Sequence, residues 1–260
     1  MTKSQWIRYS SLTALLAGIM ISGCSTGSST HPALSCRQQY DLARQKFEKK
    51  KYLQAVEEFK LLVFNCPGAP LIDTAQYYLA VCYFNQKDYP TAAGEFRKLM
   101  NSFPTSEFAD DALFMLGLSD YKQSPKAELD QTYTYQALEH FQDFLDIYPS
   151  SALWPEVQKY IQACRDKLAE KAYRNGKTYF RLKYFEASRI YLKDVLEKYP
   201  QSKWAPQAQF LLAESYRLES KKGEALAEYQ KVLANYSNSK LSDKSRKWID
   251  ELKGQQVKQN

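Results

Sequence analysis

Two histidines, nine glycines and ten prolines are all that this chain of 260 residues holds of those three types. With so little histidine, no pair has metal-ligand spacing and no nucleophile has a His beside it. His31 falls in a polar stretch near the N-terminus and His140 inside a helical run. A Gly-rich phosphate loop is missing too. No catalytic residue, no metal ligand and no cofactor is therefore expected, and the enzyme reading has nothing to stand on. Scarce Gly and Pro also argue against a many-turned β-fold and for helices. Charge of one sign is nowhere concentrated. The 36 Lys and Arg are scattered among 29 Asp and Glu, and the formal net charge is +7. Without a basic stripe along the sequence, nucleic acid is not an expected partner. The apolar stretch over residues 12–21 falls far short of the ~20 residues of a membrane span.

That short run has a different use. Lys3 and Arg8 precede it, and Ile21-Ser22-Gly23-Cys24 closes it. Positive, apolar and small-residue regions in that order make an export signal, so residues 1–23 are expected to be cleaved. The closing tetrapeptide resembles the bacterial lipobox, which implies acylation of Cys24 and stable attachment by several acyl chains. Ser25 stands where Asp would retain such a protein at the inner membrane, which favours the outer membrane. Polar residues 24–35 read as a flexible tether.

What the chain has in abundance is aromatic: 20 Tyr and 13 Phe. They recur in one phrase, aromatic, small residue, aromatic, Pro. It appears as Tyr52-Ala55-Phe59-Pro67 and again as Tyr89-Ala92-Phe96-Pro104. Later copies are Ala137-Phe141-Pro149, Phe185-Ser188-Leu192-Pro200 and Ala225-Tyr229, the last with Ser237 in place of Pro. A small residue lets two helices approach, the ring four positions on fills the gap, and Pro stops the helix. Ser106, Ser151, Ser202 and Ser239 follow as expected N-caps of the next helix. Upstream, Leu42, Leu79, Leu116 and Leu212 precede a small residue in the first helix of a pair: Ala43, Ala80, Gly117 and Ala213, with Gly176 in the fourth copy. This order is the tetratricopeptide pattern. The expected fold is all-α, a solenoid of five helix pairs with a C-terminal capping helix over residues 239–252 that stops at Gly254. Repeats 1–3 occupy residues 36–150. A long linker helix near 155–181, repeats 4–5 and the cap occupy 151–254, and 255–260 is expected to be a disordered tail. Ala55 to Ala92 is 37 residues, Ala92 to Ala137 is 45, and Ala137 to Ser188 is 51. The first excess predicts a protruding loop around 122–132, the second the long helix.

These features together resemble the BamD/ComL family, lipoprotein subunits of the machine that inserts β-barrels into the outer membrane. The stretches carrying the resemblance are Leu129-Asp130-Gln131-Thr132-x-Thr134 through Tyr148-Pro149-x-Ser151, then Arg165-Asp166-Lys167-Leu168-Ala169-Glu170 and Gly176-x-x-Tyr179. Cys66-Pro67-Gly68-Ala69 departs from the family phrase, as does the fifth repeat without its Pro. The resemblance implies a lipid-anchored protein of the outer membrane facing the periplasm. Its N-terminal half would receive the aromatic C-terminal signals of unfolded outer-membrane proteins. Its C-terminal half would dock on the periplasmic domains of the barrel insertase, beside accessory lipoproteins. Other binding modules remain open: a repeat lipoprotein serving cell-wall synthesis and the Tol system, or a pilus-assembly pilotin.

Two sets of residues invite a structural answer. Three positions before each small residue of the first helix stand Tyr40, Tyr77, Phe114, Tyr173 and Phe210; four after it stand Phe47, Phe84, Tyr121, Phe180 and Arg217. Members of each pair share one helix face. In the first three repeats, Tyr40, Phe47, Tyr77, Phe84, Phe114 and Tyr121 are expected to line a peptide-binding groove. The alternative is that these rings pack between helices. Among the cysteines, Cys36 begins the first helix and Cys66 follows the second, so antiparallel packing brings them within reach of a disulfide. The competing arrangement leaves Cys36, Cys66, Cys82 and Cys164 all free.

Overall fold

The computed structural model describes residues 34–257, and all eleven elements found there are α-helices. The expected signal peptide 1–23, Cys24 and nearly all of the tether lie outside the described residues. Five helix pairs follow one another: α1 (Cys36–Glu48) with α2 (Tyr52–Asn65), α3 (Ile72–Asn85) with α4 (Tyr89–Ser102), α5 (Ala109–Gln123) with α6 (Thr132–Ile147), α7 (Trp154–Arg181) with α8 (Phe185–Lys198), and α9 (Ala205–Leu218) with α10 (Lys222–Asn235). A last helix, α11 (Leu241–Val257), covers α10. Each helix packs on the next in sequence, as a tetratricopeptide solenoid requires.

Local chemistry sets the boundaries. Ser35 opens α1 with a capping box: its hydroxyl accepts the Gln38 N–H while Gln38 Oε1 accepts the Ser35 N–H. Ser35 therefore belongs to the fold rather than the tether. Pro90, Pro155 and Pro206 sit in the first turns of α4, α7 and α9, where no N–H is needed. Pro67, Pro104, Pro149 and Pro200 follow closely on the last residues of α2, α4, α6 and α8 and prevent continuation.

The core is built from the repeat phrase itself. Ala55, Ala92, Ala137, Ser188 and Ala225 are fully buried, as are Phe59, Phe96, Phe141, Leu192 and Tyr229 four positions on. The small residue of the first helix faces that large one. A Cβ added to Gly117 would meet the Phe141 ring at 2.8 Å, and one added to Gly176 would meet Leu192 at 2.9 Å. Side chains of that size thus set the helix separation in repeats 3 and 4. A polar clasp recurs beside them: Gln39, Gln76 and Gln209 donate to Glu58, Glu95 and Glu228 across their helix pairs at 2.6, 2.7 and 2.5 Å.

Four further expectations need correcting. The serines after each Pro do not flank the next helix. One extra turn intervenes, closed by Ala109 N–H to Ser106 O, Trp154 N–H to Ser151 O and Ala205 N–H to Ser202 O. The hydroxyls of Ser106, Ser151 and Ser239 instead accept the N–H two residues on, each at 3.2 Å. Ser106 and Ser151 also donate to Asp73 and Asp110 of the preceding repeat, at 2.7 and 2.8 Å. Second, the insert in repeat 3 does not protrude. Ala127 and Gln131 are buried, and the Gln131 side chain donates to the Lys126 and Leu129 carbonyls, folding the loop on itself. Third, α11 passes through Gly254, since nothing there demands a left-handed conformation. Fourth, it ends at Val257, so residues 255–257 are helix rather than tail.

A disulfide joins Cys36 to Cys66, with Cα atoms 6.1 Å apart. Cys82 and Cys164 are free and buried, and burial pushes each thiol up to about 12.

Candidate functional site

The six rings expected to form a groove are all half-buried, and each packs against another ring. Tyr40, Tyr77 and Phe114 lie 6.4, 6.0 and 6.1 Å from Phe59, Phe96 and Phe141, the large buried residues of their own repeats. Tyr77 also stacks at 4.6 Å on Phe108, the residue that opens the next repeat, and Tyr173 stacks in the same manner on Trp204 at 5.1 Å. Tyr77 and Tyr173 therefore fill the seam between repeats with one face and leave part of their surface to solvent. Burial raises the Tyr77 phenol well above its ordinary value.

The second position does something else. Phe47 meets Tyr52 edge to face at 5.7 Å, Phe84 meets Tyr89 at 5.2 Å, and Phe180 meets Phe185 at 5.5 Å. Each pair clasps the tight turn between the two helices of a repeat. Tyr121 cannot do so, because the insert lengthens its turn. It packs instead on Tyr160 of α7 at 5.2 Å, with the Lys167 ammonium 5.1 Å from its ring. In repeat 5 the position is Arg217, which lies 4.0 Å over Trp248 of α11.

Repeat counting missed two rings at the centre of this network. Tyr78 touches Phe47, Phe59, Tyr77 and Phe108, and the Arg44 guanidinium sits 3.8 Å above it. Its counterparts in the other repeats are Asp41, Met115, Arg174 and Leu211, so no repeated signal marks it. Tyr160 bridges Phe114, Tyr121 and Phe141 at 5.9, 5.2 and 5.5 Å. It comes from the start of the long helix, beyond the third copy of the phrase.

Beside this apolar strip lies a polar basin of about 720 Å³ between the insert and α7. Lys167 donates to Ser124 Oγ at 2.7 Å, Lys171 to the Leu129 carbonyl at 2.7 Å, and Arg174 pairs with Glu128 at 2.7 Å. Partial burial holds the Lys167 ammonium below its ordinary pKa. These three bonds pin the insert to α7. His140 lies on α6, where its Nδ1 stands 2.9 Å from Asp120 Oδ2, and Asp120 is almost wholly buried. Among the described residues no cluster of His, Cys, Asp and Glu could hold a metal ion, and no helix is long and apolar enough to cross a membrane.

A family model described as YfiO, outer membrane lipoprotein, matches residues 32–230. A protein of Rickettsia prowazekii (strain Madrid E), "Outer membrane protein assembly factor BamD", is 26% identical over 232 residues, covering 88% of this chain and 92% of that protein. Solved structures with some likeness include the TPR2AB domain of yeast Sti1 in a pHSP90 complex, 12% identical, with 78% of each chain covered and a TM-score of 0.42. Another is a thermophilic TPR protein of Thermus thermophilus. It is 19% identical, with 83% of this chain and 99% of that one covered and a TM-score of 0.37.

Proposed function

This chain belongs to the YfiO family of outer membrane lipoproteins, and on that premise we propose that it is a non-catalytic subunit in the assembly of outer-membrane β-barrel proteins. The observation that carries the reading is the nearly end-to-end match to a BamD assembly factor, 92% of whose length is covered. Cys24 carries the acyl anchor and the folded repeats face the periplasm. The N-terminal repeats receive the aromatic C-terminal signal of an unfolded barrel. Tyr40, Tyr77 and Phe114 support that role by leaving part of each ring open to solvent on successive first helices. An extended strand with alternating aromatics could add its rings to this strip, at about 1 kcal/mol for each well-placed ring pair.

The C-terminal repeats dock on the periplasmic domains of the barrel insertase, in company with accessory lipoproteins. On α8, Ile190 is exposed beside a shallow cleft of about 500 Å³ whose other walls are Tyr191, Lys193, Asp194 and Glu197. An apolar centre with a charged rim is the usual anatomy of a protein interface.

The peptide role is tested with Tyr77→Leu and Phe114→Leu together. Leucine retains most of the packing against Phe96 and Phe141 while removing the ring surface. Binding of a barrel C-terminal peptide should weaken about tenfold, with the helical circular dichroism unchanged. Unchanged peptide affinity in a folded double variant would assign these rings to packing alone.

A further inference from the structure

The turn between the two helices of a repeat places one residue in the left-handed region, and in none of the four repeats that do so is it glycine. Lys50, Lys87, Lys183 and Ser220 have φ of 57°, 64°, 62° and 61°. Their N–H groups make the same turn bond, to the carbonyls of Phe47, Phe84, Phe180 and Arg217. Glycine or asparagine would adopt this conformation with less strain. Three of the four sites keep a lysine there at a conformational cost.

Antiparallel helix pairs put every one of these turns on the same edge of the solenoid. The sequence shows no basic stripe because its members stand far apart, 37 residues from Lys50 to Lys87 and 96 from Lys87 to Lys183. Folding gathers them with Lys49, Lys51 and Arg181, all exposed, and none of the six has a carboxylate partner among the described residues. Nearby acids are mostly engaged. Glu48 pairs with Arg44, Glu219 with Arg189 and Lys221, and Asp88 caps α4; Glu186 and Glu224 remain. The favourable dipole at a helix C-terminus accounts for cations nearby, but not for lysine in a left-handed slot.

Apolar side chains interleave with the charges. Leu53, Leu182, Tyr184 and Leu218 are 68, 58, 64 and 49% exposed, and each lies within three residues of a left-handed position. Exposed Leu and Tyr among unpaired Lys match a lipid–water interface, where rings and aliphatic chains enter the headgroup layer and ammonium groups meet phosphate. An acidic protein surface would match the lysines but leave the apolar groups unused.

We propose that this turn edge is a docking surface for an anionic phospholipid bilayer, laying the solenoid against the membrane that holds its anchor. The proposal rests on the lipoprotein reading of Cys24, which brings the chain to the bilayer. Reach is sufficient. The chain from Cys24 to Cys36 can extend about 40 Å, whereas α1, which separates Cys36 from the turn edge, is about 20 Å long.

The test uses the acylated mature protein in vesicles of phosphatidylcholine alone and of phosphatidylcholine with phosphatidylglycerol, at low salt. Lysine acylation by a soluble ester is read residue by residue in a mass spectrometer. Lys50, Lys87 and Lys183 should react at least about fivefold more slowly in the anionic vesicles, the factor for roughly 1 kcal/mol per lysine at such a surface. Lys60 and Lys98, on the second helices, should not change. Asparagine at all three left-handed positions keeps the turn, so the triple variant should melt no lower than the parent. Its Lys49 and Lys51 should lose their protection.

Equal reactivity in both vesicle types, with the protein membrane-bound, would overturn the edge proposal and leave the lipoprotein reading intact. Protein absent from both vesicle fractions would overturn the anchor and the proposal together. Protection in native envelope membranes but not in phosphatidylglycerol vesicles would assign the edge to an acidic protein, and so would also overturn it.

Discussion

Reducing the Cys36–Cys66 disulfide should loosen one end of the solenoid and leave the rest alone. The bond closes a segment with a sequence separation of 30. In the chain-entropy account such a loop stabilises the folded state by about 3–4 kcal/mol, an upper value because the reduced chain retains local structure. Where that energy resides follows from the packing. Helix α1 packs chiefly on α2, and among the described residues repeat 1 has a neighbouring repeat on one side only. Its cluster of Ala43, Ala55, Val56, Phe59 and Leu62 leans on Ala75, Leu79 and Cys82 of repeat 2. A solenoid's stability is a sum of repeat and neighbour-interface contributions, so the end repeat can open alone. Hydrogen exchange with and without dithiothreitol should therefore show protection falling about a hundredfold or more in α1 and α2, with α5 to α7 unchanged. The Cys36→Ser, Cys66→Ser double variant should match the reduced protein. Thiol counting on the unreduced, denatured mature protein should find two reactive groups, at Cys82 and Cys164. Four reactive thiols besides Cys24, or exchange unaltered by reductant, would refute the reasoning.

Further perturbations probe other layers. Gly117→Ala drives a Cβ to 2.8 Å from the Phe141 ring and should destabilise by about 1–3 kcal/mol in urea titration, whereas Gly94→Ala, with nothing within 4 Å, should stabilise by about 0.5–1 kcal/mol. Gln76→Ala removes a 2.7 Å bond to Glu95 from a nearly buried site and should cost about 1–3 kcal/mol. Cys82 and Cys164 have thiols raised from 9.0 to about 12, so above pH 9 the unfolded chain loses protons that the folded one keeps. Their contribution is complete below pH 9 and is lost as pH rises toward 12; a melting temperature flat across that window in both the parent and the Cys82→Ala, Cys164→Ala variant would count against it. Cys24→Ala should abolish palmitate incorporation and release the protein from membranes, as measured by metabolic labelling and fractionation.

The parts of this fold legible from sequence are those that repeat. Ala55, Ala92 and Ala137 announce themselves because the ring four residues later must fill the gap that each small side chain leaves, and the proline behind must end the helix. What could not be read is what occurs once or depends on long-range contact. The insert looks like a free loop because its anchors on α7, Lys167, Lys171 and Arg174, lie 43, 42 and 46 residues from their partners. Tyr78 and Tyr160 carry no repeated signal, yet they knit the ring network. Gly254 reads as a helix stop, but a glycine ends a helix only where the backbone turns left-handed, and here those turns are made by lysines and a serine. The six rings expected to line a groove are legible only in part. Their spacing shows a shared face, but spacing alone cannot separate a ring that clasps its own turn, such as Phe47 or Phe84, from one that packs at the seam between repeats, such as Tyr77.

Membership of a β-barrel assembly machine is the claim on which the functional account turns, and affinity purification tests it most directly. The acylated protein, tagged after residue 260, would be isolated from detergent-solubilised outer membranes and its stoichiometric partners identified by mass spectrometry. Recovery of the barrel insertase, in amounts that survive salt washing and fall when the Ile190 face is changed to Asp, is the predicted result. Purification with cell-wall synthases, Tol proteins or a pilus secretin, and no insertase, would contradict it.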